Sequence, residues 1–130
     1  MVDALHEAHA AVRRGGALID VRPDSARPPR VFRGRTQRGG LYERRDAIGQ
    51  NHAADRAVAG VVRDGLLKLV RSGHFWYDIP YADLNALDQL IVGSRRIGGY
   101  TRGTRSALAR EAGRPIVVRR TLAYGIYKRR

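Results

Sequence analysis

The chain has 130 residues, 43% of them hydrophobic, which is one domain's worth of material and enough for a modest core. It has no cysteine, so disulfides, thiolate metal sites and thiol nucleophiles are excluded. The net charge is +13 at pH 7, and only Lys68 and Lys128 are lysines, so arginine carries almost all of the basicity. No segment approaches the roughly 18 apolar residues that span a membrane. The first helix carries His6, Glu7 and His9 in place of a signal peptide's apolar run. These features lead to the expectation of a cytoplasmic protein without a membrane partner.

In chain order, Ala4 to Pro23 opens as an amphipathic helix, with Leu5, Ala8 and Val12 at helical spacing and Asp3 available to cap free N–H groups. Gly15 and Gly16 end it, and Ala17, Leu18 and Ile19 form a short strand of the kind buried on both faces in parallel sheets. Pro23, Pro28 and Pro29 exclude a helix in the next stretch. There, Val31-Phe32-Arg33 and Leu41-Tyr42-Glu43 flank a turn at Arg38-Gly39-Gly40 and suggest a hairpin insertion.

The periodicity predicts a helix over 52–71, with Ala54, Ala57, Val58, Val61, Val62, Leu66 and Leu69 on one face and Gly65 weakening it without breaking it. A strand follows at 74–79, then a helix capped by Asp83 and carrying Leu84, Leu87, Leu90 and Ile91. Residues 93–103 read as a glycine- and arginine-rich connection. A short helix over about 104–112 and a long strand over 116–127 complete the chain. Arg119 and Arg120 are neighbours in that strand, so one of them must face its less polar side or an edge.

The stretch AL-x-EAH-x-x-VRRGGALIDVRP resembles the late helix and fifth strand of class I S-adenosylmethionine-dependent methyltransferases, with Arg14 where that family often has proline. The match covers about twenty residues. The resemblance implies an α/β fold: a partial Rossmann-like methyltransferase sheet, made of its late strands plus an antiparallel terminal strand pair, with flanking helices and the hairpin insertion. Strands at 74–79 and 116–127 would form that pair, the later one lying between the fifth strand and its partner.

No GxGxG turn follows any strand, so the family's cofactor, S-adenosylmethionine, has no cradle in this chain and none is expected to bind it alone. Residues 1–130 are therefore expected to be a single α/β domain from the C-terminal part of a longer methyltransferase-like fold. It would be enzymatic only with the cofactor-binding half supplied, and the unpaired edge beside the fifth strand would receive that half or a second copy.

Candidate chemistry is sparse. Asp20 and Arg22 close the fifth strand, where open α/β sheets build sites at the carboxyl ends of strands. They are the first substrate-facing candidates, with His74 and Tyr77 as further members of the same crevice. His6 and His9 lie three apart on a helix, but HEAH lacks the HExxH spacing and no third ligand accompanies them, so no metal site is expected. Residues 94–130 hold eleven Lys and Arg against the single acid Glu111. That run supports an alternative function, a freestanding nucleic-acid-binding module using Arg95, Arg96, Arg102, Arg105, Arg119 and Arg120. A genome rich in G and C explains the same bias without selection for phosphate contacts.

Overall fold

A computed structural model describes residues 2–111 and 113–130. The chain is α/β, and its described residues form a six-stranded antiparallel sheet and four helices. It divides into two compact units: Met1–Pro23, Ile48–Phe75 and Leu122–Arg130 form the first, Asp24–Ala47 and Trp76–Thr121 the second.

The first unit opens with α1 (Val2–Ala11), with Asp3 in its first turn, and β1 (Ala17–Pro23). Gly15, in the left-handed region at φ 75°, turns the chain between them. Its N–H donates to Arg129 O, and Arg129 N–H donates to Gly16 O, so the turn is pinned to the last strand. Helix α2 (Arg45–Arg63) follows, then β4 (Leu67–Tyr81) and β6 (Ile116–Arg129), long strands that contribute residues to both units.

Strand β1 pairs antiparallel with β6, from Ala17 opposite Lys128 to Pro23 opposite Leu122. Strand β4 pairs with β6 as well. Arg130 N–H donates to Leu66 O, and Gly73 lies against Tyr124, so this pair is antiparallel too. The last strand therefore lies between β1 and β4. The core of this unit is Leu5, Val58, Val61, Leu67 and Tyr127, with Leu18 packed against it.

In the second unit, β2 (Arg30–Arg33) and β3 (Thr36–Glu43) form a hairpin, and β5 (Ile97–Tyr100) pairs antiparallel with β3. The other edge of β2 pairs with β6, Val31 opposite Val118. Helices α3 (Leu84–Gly93) and α4 (Thr104–Ala109) cover one sheet face. Their Leu87 and Leu108 are fully buried with Val31, Leu41, Ile97, Ile116 and Val118. Asp83 caps α3 as expected, its Oδ1 accepting from Ala86 N–H at 2.8 Å.

Several expectations need correction. The helix expected over 52–71 runs from Arg45 to Arg63, because Gly65 takes the left-handed conformation at φ 77° and the chain re-enters the sheet at Leu67. The hairpin turns at Gly34 (φ 59°) and Arg35, and Arg38-Gly39-Gly40 lies inside β3. Gly39 is needed there because Thr104 occupies the place of its missing Cβ. The stretch 93–103 contains β5. The short helix ends at Ala109, and Ala112 lies outside the described residues. Strand β1 is buried on one face only: Ile19 is 63% exposed, because α2 covers the opposite face and no element among the described residues covers this one.

Candidate functional site

The best-organised polar cluster in the first unit grows from the carboxyl end of β1. Alternation along the strand places Leu18, Asp20 and Arg22 on one face, where Leu18 packs against the core. Helix α2 presents Asn51 and Asp55 to this face, four residues apart and so on one side of the helix. The Arg22 guanidinium joins them. Its Nε donates to Asp20 Oδ2 at 3.0 Å, its Nη1 to the Asn51 carbonyl at 3.1 Å, and its Nη2 lies 2.8 Å from Asp55 Oδ1. Asn51 Nδ2 in turn donates to Pro23 O at 2.7 Å, closing the cluster onto the end of the strand.

Beside it lies an open cavity of about 400 Å³. Val58, Ala59, Val62 and Leu69 form its apolar wall, and Arg22, Asp55, Arg63 and Tyr127 bring polar groups to it. Tyr127 stands opposite Leu18 in the β1–β6 register and is buried. Burial raises its phenol above the usual range and the Asp20 carboxylate raises it further, while Arg22 opposes them, so the hydroxyl acts here as a hydrogen-bonding group and not as a base. The site thus offers a fixed cation, two carboxylates, a protonated phenol and an apolar wall. This equipment suits binding and orienting a small molecule; it contains no nucleophile held by a base.

Of the four substrate-facing candidates, Asp20 and Arg22 are brought together here. His74 is exposed on β4, which β6 separates from β1, and does not line the cavity. Tyr77 belongs to the second unit. Asn51, Asp55 and Tyr127 were not singled out from the sequence. The four-residue spacing of Asn51 and Asp55 on a helix face was the available signal for the first two, and the register that seats Tyr127 opposite Leu18 exists only once the strands pair.

The six arginines of the alternative reading separate into two groups. Three hold carboxylates: Arg96 on Glu43 at 2.5 Å, Arg105 on Asp88 at 2.8 Å and Arg119 on Asp78 at 2.8 Å. Arg95 and Arg102 have no carboxylate partner among the described residues. Arg120 lies on the opposite side of β6 from Arg119, and its buried Nε has no acceptor among the described residues. Among the described residues no group of three or more His, Asp or Glu could hold a metal, and no helix is long and apolar enough to cross a membrane. Comparison with family models, with curated proteins and with solved structures finds no match to this chain.

Proposed function

We propose that the first unit is the substrate-side half of an S-adenosylmethionine-dependent methyltransferase-like fold. One observation carries the reading: β6 lies between β1 and β4 and runs antiparallel to both, with α2 on the path from β1 to β4. That is the closing arrangement that the resemblance of residues 4–23 implies. Two further features support it. Asp20 and Arg22 are organised at the carboxyl end of β1, where a Rossmann-like sheet places its site. The other edge of β1 pairs with no strand among the described residues, so a parallel strand of a cofactor-binding half could add there.

The residues of this chain do not fit the cofactor itself. Gly15 and Gly16 are tied to Arg129 in a helix-ending turn, and Gly98 and Gly99 lie under the Tyr42 ring, so neither pair forms an open strand-to-helix phosphate or nucleoside cradle. The contribution of this half is to hold the acceptor. Arg22, fixed by three partners, and the apolar wall beside it would position a substrate group without reorganisation.

The test is ultraviolet cross-linking of methyl-tritiated S-adenosylmethionine to the native assembly purified through this chain. Label in the assembly, and none on the 130-residue chain alone, is the expected result. A native assembly that takes up no label overturns the reading.

A further inference from the structure

Among the described residues of the second unit, α3 and α4 lie on one sheet face and no helix of the unit lies on the other. Val31, Leu41, Ile116 and Val118 point toward α3 and α4, so alternation sends Arg30, Phe32, Val117 and Arg119 to the opposite side. Trp76 and Asp78 of β4 meet them there. Arg119 lies over the Phe32 ring at 5.0 Å from its centroid and over the Trp76 ring at 5.5 Å. Asp78 fixes it through two hydrogen bonds of 2.8 and 3.0 Å. Arg30 lies 5.9 Å over the same Phe32 ring, forms no ion pair among the described residues, and adds its charge to that of Arg119 in lowering the Asp78 carboxyl. Trp76 is 58% exposed, although its indole is held in place from one side by Arg119. Tyr42, half exposed, lies on this face as well, against the backbone of Gly98 and Gly99, where any side chain would collide with its ring.

Charge decides what such a face accepts. The second unit contains fifteen arginines against seven carboxylates. Asp24, Glu43, Asp78, Asp88 and Glu111 are each neutralised by one arginine, and Asp46 and Asp83 accept from helix-starting N–H groups. Ten arginines are left without a carboxylate among the described residues. A face of fixed aromatic rings interleaved with arginine, on a unit of this charge, matches a polyanion that also presents unstacked planar rings.

We propose that this face binds single-stranded nucleic acid, with an unpaired base stacked on Trp76 and the neighbouring phosphates on Arg30. Arg119, already paired with Asp78, positions the indole and contributes no free charge. A duplex keeps its bases stacked inside and cannot use Trp76, so the face discriminates against it. The proposal does not depend on the methyltransferase reading, which concerns the other unit.

Trp76 is the only tryptophan in the chain, so its emission reports directly on the site. Titration at low salt with an oligothymidylate, an oligouridylate of the same length and a duplex should quench Trp76 saturably for one or both single strands and not for the duplex. Trp76→Ala, followed by anisotropy of a labelled strand, should weaken binding roughly tenfold, the scale of one base–aromatic stack. Arg30→Gln should flatten the plot of log affinity against log salt by about 0.7, the share of one phosphate contact on a single strand. Both side chains lie outside the buried cores, so circular dichroism of the variants should be unchanged. Binding that leaves Trp76 emission unaltered, equal affinity for the duplex, or no binding at low salt would each overturn the proposal.

Discussion

Arg22 is the residue whose removal tests the candidate site most directly. Arg22→Met keeps the methylene stem and deletes every polar contact of the guanidinium. Asp20 then loses its cation while its side chain is only 21% exposed. Breaking a fully buried pair from one side costs about 3–5 kcal/mol, and a fifth of the surface still in water reduces that to about 2. The Asn51 carbonyl loses a charged donor, worth about 1 kcal/mol. Asp55, 65% exposed, adds at most a few tenths, since surface pairs contribute about 0–1 kcal/mol. The sum is about 3 kcal/mol. Asp20→Asn should cost less, about 1 kcal/mol, because the amide oxygen can still accept from Arg22 Nε. The double variant should be less destabilised than the two singles added together, by about 1 kcal/mol or more, since the second change relieves the charge stranded by the first. Urea unfolding of the four proteins at neutral pH measures this cycle. A cost below about 0.5 kcal/mol for Arg22→Met, or strict additivity, would show that solvent rather than Arg22 holds Asp20 and that the cluster is not organised.

Leu87→Ala empties a fully buried position in the second unit and should cost about 2–5 kcal/mol in a thermal or denaturant melt; a loss under 1 kcal/mol would mean that the α3 contact is loose. Gly39→Ala places a methyl group where Thr104 Oγ1 sits and removes the bond that Gly40 N–H donates to it, for a cost of about 3 kcal/mol; the same change made in Thr104→Ala should cost markedly less, and equal costs in both backgrounds would refute the steric account. Arg105 and then Tyr100, hydrogen-bonded to Asp88, hold its carboxyl below the usual range. The folded state therefore binds that proton less readily than the unfolded one. The resulting stability is present above the unfolded carboxylate value of about 3.9 and is lost as pH falls through the lower folded value. Asp88→Asn should be less stable than the parent at neutral pH and converge with it in acid, read from urea midpoints across pH; a difference independent of pH would refute the linkage.

Much of the local structure is legible in the sequence because its causes are local. Asp83 ahead of an apolar helical run marks the start of α3, and the double glycine after Val12 marks the exit from α1. The candidate site is half legible: Asp20 and Arg22 stand at a strand end, which is where a sheet collects polar groups. Their partners Asn51 and Asp55 lie about thirty residues away on a helix whose face toward β1 is set only by packing. Gly65 shows the limit of propensity. A glycine late in an apolar periodic run is compatible with a weakened helix or with its end, and the strand pairing of Leu67 onward with β6 decides for the end.

By itself the sequence determined that this is an α/β chain without thiol chemistry, with a long final strand and a large arginine excess, because composition and periodicity are properties of the chain read one residue after another. Only the tertiary structure decided that this last strand runs between β1 and β4, and that Asp20, Arg22, Asn51 and Asp55 converge. It also decided which arginines are neutralised: Arg119 meets Asp78 across 41 residues and Arg96 meets Glu43 across 53. Those outcomes depend on which strand edges and helix faces close on one another. Such closure is governed by the burial of Leu67, Leu87, Ile116 and Val118 together, and no single stretch of sequence contains it.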